Sequence, residues 1–230
     1  MSTQRIRLWD LPTRLFHWLL VLAIAASVVS GQLGGNLIDW HGKIGLFILG
    51  LIVFRLVWGL IGSTYARFTQ FFPTPARLRA YLRGEWHGVG HNPLGALSVF
   101  GLIGLIGLQV VSGLFSNDDI SFVGPLFDLV SRDLSNQLTG LHKLSSNGLF
   151  VLIGLHVAAI AFYAHVKKDN LIKPMVVGWK ETVDAKEATG GGVVALLVAL
   201  MLAAAVVYAA SGALLAPPPP APPAAETPNW

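Results

Sequence analysis

The sequence LHKLSSNGLFVLIGLHVAAIAFYAH, residues 141–165, decides the fold class because it is long and mostly apolar, yet contains histidines. A helix needs about 20 mostly apolar residues to cross the hydrocarbon core of a bilayer. Ionisable side chains within such a helix are costly and usually face the interior of a helix bundle. His142 and His156 share one face of this helix, about 21 Å apart along its axis. The stretch therefore predicts a membrane-spanning helix with inward-facing histidines at two depths.

The whole chain has the composition of a membrane protein. It is 53% hydrophobic and 12% charged, with a mean hydropathy of +0.62. The predicted fold is all-α, an integral membrane four-helix bundle within residues 7–180. A hinge at 181–192, a fifth transmembrane helix at 193–215 and a disordered proline- and alanine-rich tail at 216–230 are expected to follow. The four predicted spans of the bundle are 13–32, 41–62, 93–115 and 142–165.

Residue usage excludes several classes of function. The chain has no cysteine, which excludes disulfides, cysteine-ligated iron–sulfur clusters, thiolate zinc sites and covalent attachment of haem c. The net charge of +4 comes from basic residues beside the predicted spans, and these form no nucleic-acid-binding motif. Nucleic acid is therefore not an expected partner, whereas membrane lipid is.

The first apolar stretch has two interpretations. Arg5, Arg7 and Arg14 before an apolar run are compatible with a cleaved signal peptide. Asp10 and His17 are unusual in the core of a signal peptide, so a retained first helix is favoured.

The distribution of Lys and Arg predicts the orientation. Basic residues cluster at the N-terminus, between spans two and three and after span four, whereas the other loops are poorer in them. We expect a bacterial inner membrane protein with a cytoplasmic N-terminus and a periplasmic tail.

Four of the seven histidines fall into two depth-matched pairs. In the predicted orientation, His17 of span one lies level with His156 near the cytoplasmic side. His41 opens span two level with His142, which opens span four near the outer side. Facing imidazole pairs in an apolar bundle suit the axial positions of non-covalent haem. Zinc and di-iron sites fit less well because neither pair has carboxylates or a third histidine nearby.

Basic residues near these pairs are candidate partners of the haem propionates. Arg55 lies inside span two at the depth of the cytoplasmic pair, and Arg14 lies one turn before His17. Lys43 and Lys143 stand beside the outer pair. The alternative for all four is that they extend to lipid phosphates. The small residues Gly42, Gly45 and Gly140 are expected to let a macrocycle or a helix approach closely.

The remaining histidines are weaker candidates. His165 is turned to the other face of span four and is predicted to be interfacial. His87 and His91 are predicted to be solvated loop residues. His91 also immediately precedes the third span, which makes it a candidate to approach a haem edge or a quinone.

Several motifs carry a family resemblance. They are WDLPTRLFHW (9–18), WHGKIG (40–45), FRLVWG (54–59), GHNPLGA (90–96) and LH (141–142) with His156. In these motifs the chain resembles the bacterial cytochrome b561 and nickel-iron hydrogenase b-type cytochrome family over about residues 7–180. The resemblance implies a four-helix membrane cytochrome with two haem b groups, whose ligands correspond to His17, His41, His142 and His156.

Electron transfer is the expected function. The resemblance implies an electron carrier between a quinone pool and a protein partner, either a cytochrome c or a dehydrogenase subunit, with quinone oxidoreductase activity as one form of this role. An anchor subunit of a hydrogenase or another dehydrogenase is the alternative within redox chemistry. A haem-free transporter or membrane sensor, with histidines used for protons or packing, is the alternative from another class.

Overall fold

The apolar stretches form helices at nearly the predicted places. The computed structural model describes residues 4–120, 122–183 and 185–215. Within these residues, five helices are long and apolar enough to cross a membrane, namely α1, α2, α5, α6 and α8. The predicted tail at 216–230 lies outside the described residues. The helices are α1 (Leu11–Leu33), α2 (Ile38–Ile61), α3 (Phe68–Phe71), α4 (Pro75–Leu82), α5 (Pro93–Leu114), α6 (Arg132–His165), α7 (Ile172–Val177) and α8 (Gly192–Ala210).

Side-chain caps fix where three of these helices begin. The carboxylate of Asp10 accepts a hydrogen bond from the Thr13 amide at 2.7 Å, and Asn92 caps α5 in the same way through the Gly95 amide at 2.7 Å. Ser131 caps α6. Each cap satisfies an amide that the first turn leaves without a partner.

Helix α6 is longer than its apolar stretch. It begins at Arg132, so His142 lies inside the helix, and the prediction that His142 opens span four is wrong. At about 1.5 Å per residue the helix is about 51 Å long and extends beyond the hydrocarbon core. Its first turns are polar, and the Asn117 amide donates hydrogen bonds to the side chains of Ser135 at 2.6 Å and Asn136 at 3.0 Å. Hydropathy cannot detect a helix extension of this kind.

A small sheet that the sequence analysis did not predict accompanies the helices. Strand β1 (Gln4–Arg7) pairs antiparallel with strand β2 (Trp179–Thr182). The guanidinium of Arg5 lies 5.0 Å from the centre of the Trp179 ring. The sheet attaches the start of the chain to the segment that follows α6.

The bundle consists of two closely packed helix pairs. Helix α1 packs along α2, α5 packs along α6, and α2 also contacts α5. Backbone contact between α1 and α6 is slight, as judged from the described residues. The two pairs therefore face each other mainly through side chains. We call the end with residues 4–10, 62–92, 166–183 and 185–191 the N-terminal end, and the end with residues 34–37, 115–120 and 122–131 the far end.

Helix α8 is packed against the bundle. It lies along α2, where Ala199 is fully buried and Ala203 is 7% exposed. A Cβ on Gly50 of α2 would lie 3.1 Å from the Val207 side chain. Small residues on both helices allow this close approach.

The described part of the segment before α8, which was predicted to be a hinge at 181–192, contacts the rest of the protein. Residues 181 and 182 belong to β2, and the Thr64 amide donates to the Thr189 carbonyl at 2.8 Å. Gly190, Gly191 and Gly192 have φ angles of +85°, +78° and +72°, which favour glycine. A Cβ on Gly191 would lie 2.9 Å from the Trp58 ring. These glycines form a turn held against the end of α2.

The packing of α8 predicts that Ala199→Leu destabilises the protein. The larger side chain has no space against α2, and overpacking of this kind costs about 1 to 3 kcal/mol. Thermal unfolding in detergent should show a lower midpoint for Ala199→Leu. Ala204→Leu on the exposed face of α8 is the matched control. Equal midpoints for the two variants would contradict the observed packing.

Candidate functional site

The far-end histidines face each other across the bundle. The ring centres of His41 on α2 and His142 on α6 lie 6.0 Å apart, with ring planes at 82°. When two imidazoles bind the same metal ion from opposite sides, each through a nitrogen about 2 Å from the metal, their ring centres lie about 6 Å apart. The structure therefore brings His41 and His142 together, and their role as ligands stays a prediction.

Hydrogen bonds fix the orientation of both rings. Nδ1 of His41 donates to the carbonyl oxygen of Ser27 at 2.9 Å, and Nδ1 of His142 donates to the carbonyl oxygen of Gln109 at 2.8 Å. A carbonyl can only accept, so each Nδ1 carries the proton and each Nε2 keeps a free lone pair. Metal-binding histidines characteristically donate their other N–H in this way.

A glycine beside each ring makes these hydrogen bonds possible. A Cβ on Gly31 would lie 2.9 Å from His41 Nδ1, and a Cβ on Gly113 would lie 3.0 Å from His142 Cε1. Each glycine follows the accepting carbonyl by one helical turn, on α1 and α5 respectively. The missing side chain opens that carbonyl to the imidazole. Both helix pairs thus hold a histidine by the same arrangement.

The three glycines that were expected from sequence to allow a close approach do not lie against the histidine rings. Gly45 and Gly140 have no neighbour within 4 Å of an added Cβ, while one on Gly42 would lie 3.0 Å from the Phe122 ring. Gly31 and Gly113 were missed because they stand on the helices opposite the histidines. The sequence does not show which residue of one helix lies beside a histidine of another helix.

The far-end pair borders an apolar cavity. Its volume is about 300 Å³, at the lower end of the range for ligand pockets. An apolar cavity with two facing imidazoles and free Nε2 lone pairs fits a non-covalent haem with two axial histidines. Each helix of the four-helix bundle contributes to the lining, for example through Ile24, Leu46, Ile106 and Leu149.

At the N-terminal end, His17 and His156 are held less well by hydrogen bonds than the far-end histidines. Nδ1 of His156 lies 3.4 Å from the Ser98 hydroxyl, and Nδ1 of His17 is buried without a hydrogen-bond partner. His17 on α1 and His156 on α6 lie close enough for their charged forms to affect each other. Their rings do not contact each other among the described ring pairs. The structure brings the two residues to the same region, and their pairing as ligands stays a prediction.

Arg55 is the buried cation that its position in span two predicts. It is 3% exposed, its guanidinium lies 4.6 Å from the centre of the Phe68 ring, and its Nη1 has no hydrogen-bond partner. Arg14 is instead attached to α7, since its Nη1 donates to the Val176 carbonyl at 2.5 Å. Its Nε is buried without a partner. Both arginines therefore keep a donor available for an anionic group.

The two lysines differ from each other. Lys143 lines the far-end cavity, whereas the ammonium of Lys43 lies 5.0 Å from the centre of the Trp40 ring. Only Lys143 therefore borders the cavity that the far-end pair faces.

His91 corrects a prediction. Its Nδ1 is buried and without a partner, and its ring lies 4.4 Å from Phe71 and 4.8 Å from Trp9, measured between ring centres. The favoured description of His91 as a solvated loop residue is wrong because the connection folds over the N-terminal end of the bundle. His87 and His165 are exposed, in keeping with their predicted interfacial or loop character.

Other metal sites lack support. The described residues contain no group of three or more His, Cys, Asp or Glu side chains that could hold a metal ion. A zinc or di-iron centre needs such a group.

Comparison with known proteins agrees with this geometry. A sequence profile of prokaryotic cytochrome b561 matches residues 8–178. This chain belongs to the prokaryotic cytochrome b561 family. The match includes all four transmembrane helices that carry or face the histidine pairs, and α8 lies beyond it. Haem b, electron transport and a multi-pass membrane location are properties of the family.

Curated relatives have consistent names. A probable Ni/Fe-hydrogenase B-type cytochrome subunit of Azotobacter chroococcum mcd 1 is 27% identical, covering 76% of this chain and 88% of the relative. The proteins of the same name from Azotobacter vinelandii and Bradyrhizobium diazoefficiens are 26% and 23% identical, covering 76% and 78% of this chain and 88% and 87% of each relative. No solved structure matches the chain.

The glycine contacts predict that Gly31→Ala and Gly113→Ala reduce haem binding at the far end of this cytochrome b561. Each added methyl group pushes an imidazole away from its carbonyl acceptor and misaligns the ligand, a kind of change that typically costs about 10-fold or more in affinity. Haem per chain should be measured after purification. Gly104→Ala on α5 is the control because an added Cβ there meets nothing within 4 Å. Wild-type haem content in both test variants would contradict the proposed ligand geometry.

Proposed function

We propose that this cytochrome b561 transfers electrons across the membrane through two haem b groups, one held by His41 and His142 and the other by His17 and His156. The facing, hydrogen-bonded imidazoles of the far-end pair are the observation that supports this proposal most strongly. When bound, haem iron with two axial histidines supplies one-electron redox chemistry.

The residues around each pair have defined tasks in this proposal. The Ser27 and Gln109 carbonyls keep Nε2 of His41 and His142 unprotonated, so that both rings can act as ligands without a proton being released. The apolar lining excludes water from the far-end site. At the N-terminal end, Arg55 and Arg14 offer unpartnered guanidinium donors to haem propionates, and Lys143 is the corresponding candidate at the far end.

The continuity of α6 sets the separation of the two sites. His142 and His156 belong to one helix, which predicts about 21 Å between their positions along the axis. Each site is therefore nearer to one face of the membrane. A relay between the two faces requires this arrangement, and a single-site carrier does not.

The two ends of the relay differ in charge and in proposed partner. We infer an inner-membrane location with the basic N-terminal end in the cytoplasm. Quinone is the proposed partner at one end and a redox protein, a cytochrome c or a dehydrogenase subunit, at the other. If quinone is the electron donor or acceptor, the protein has quinone oxidoreductase activity.

A role as the membrane subunit of a hydrogenase or another dehydrogenase is the second candidate. The names of the relatives favour it, since each is called a probable Ni/Fe-hydrogenase B-type cytochrome subunit. Mild detergent extraction followed by affinity purification of this chain distinguishes the two. Stoichiometric co-purification of a dehydrogenase supports the subunit role, and a lone dihaem protein supports an independent carrier.

The two-haem proposal predicts about two haem b per purified chain and a reduced-minus-oxidised spectrum with the α band of low-spin haem b. His156→Ala should remove the N-terminal-end haem and leave the far-end haem, and His142→Ala should do the reverse. Haem content of each variant should fall to about one per chain because axial histidines are the main attachment of a non-covalent haem.

His165→Ala is the matched control for His156→Ala, since both histidines lie on α6 and His165 is exposed. It should retain both haems. A wild-type protein without an α band would favour the haem-free transporter or sensor. Two haems in either ligand variant would show that the pairs are assigned wrongly.

A further inference from the structure

No carboxylate forms an ion pair with Arg55 in the described residues. Asp10 is close enough for its charge to act on Arg55, but the two groups make no ion pair within 4.0 Å. The Asp10 oxygens instead accept from the Thr13 amide at 2.7 Å and from Trp58 Nε1 at 2.9 Å. A buried guanidinium is costly when no anion contacts it directly. Arg55 therefore keeps Nη1 available for an anionic group that the described part of the chain does not place against it.

His91 lies in the same aromatic cluster. The Arg55 guanidinium packs on Phe68, whose ring centre lies 5.9 Å from that of Phe71. Phe71 in turn packs on the ring of His91 at 4.4 Å, and Trp9 lies at 4.8 Å on that ring. The two unpartnered donors, Arg55 Nη1 and His91 Nδ1, thus lie in one enclosed apolar environment.

The backbone holds His91 at this place. Gly90 has a φ angle of +93°, which favours glycine. Asn92 caps α5 through the Gly95 amide and donates from its side chain to the Tyr163 hydroxyl at 2.6 Å. His91 is therefore positioned between two residues whose conformations are fixed by other contacts.

Electrostatics define the form of His91 that the site contains. The pKa of His91 is lowered to about 3, chiefly by burial and to a smaller extent by the nearby charges of Arg55, His156 and His17. His91 is consequently neutral at physiological pH. A neutral imidazole can donate one hydrogen bond without adding a second buried positive charge.

We propose that His91 and Arg55 together bind one carboxylate of the haem held by His17 and His156, with His91 as a neutral N–H donor and Arg55 as the counter-charge. His91 is then a positioning residue of the N-terminal-end site, although it is not an iron ligand. This inference rests on the proposed function, since it requires a haem at that pair.

The experiment compares His91→Ala, His91→Gln and His87→Ala in the full-length purified protein. Haem retention is followed during transfer to apomyoglobin, and a redox titration is followed by the α band. The α-band signals that the wild-type protein shows and His156→Ala lacks are assigned to the N-terminal-end haem. Loss of one hydrogen bond to a charged group should speed haem loss from this site about tenfold or more. Its midpoint potential should fall, because a less neutralised carboxylate favours the oxidised iron.

His91→Gln keeps a neutral N–H donor and should restore retention and potential towards the wild-type values. His87→Ala, an exposed histidine of the same connection, should leave both unchanged. Wild-type retention and potential in His91→Ala would overturn the inference, as would equal losses in the Ala and Gln variants. The wild-type haem content distinguishes a failure of the proposed function from a failure of the role proposed for His91. A wild-type protein without haem at the N-terminal end overturns the proposed function itself, whereas two haems with an unaffected His91→Ala overturn only the role of His91.

Discussion

The hydrogen bond from an imidazole N–H to a helix carbonyl is the interaction on which the far-end site depends. Within a bilayer a polar side chain needs a partner inside the protein, and backbone carbonyls of a helix are already engaged. Ser27 and Gln109 accept a second hydrogen bond because a glycine follows each by one turn. This bond fixes the tautomer, leaves the Nε2 lone pair free and restricts rotation of the ring. The separation of the two helix pairs, with α1 and α6 apart, then leaves room between the rings for a bound group.

The N-terminal end follows a second constraint, that of a buried cation. Arg55 is buried against the Phe68 ring, and the Asp10 oxygens accept hydrogen bonds at the start of α1 and from the Trp58 indole. Trp58 also packs against the turn that leads into α8. The fifth helix is therefore connected to the same network as the first two helices, although it lies beyond the residues that match the family. The four-helix bundle and α8 therefore pack against each other through their side chains.

Sequence predicted the spans, the closeness of His41 to His142 and the buried arginine because these depend on composition and helical spacing. His142 and His156 share a face through the geometry of a single helix, and Arg55 stands out as a charge among apolar residues. The extension of α6, the short sheet and the burial of His91 Nδ1 were not predicted. They depend on polar caps and on contacts between segments distant in sequence, such as β1 with β2. Gly31 and Gly113 were missed for the same reason, since each acts on a histidine of a neighbouring helix.

Axial ligation is the property that tests this account most directly, and low-temperature electron paramagnetic resonance of the oxidised protein measures it. Two distinct low-spin ferric signals, each of the type given by two imidazole ligands, are the predicted result. A single low-spin signal, or a high-spin signal from iron with one axial histidine, would contradict the claim that four histidines hold two haems in this membrane cytochrome.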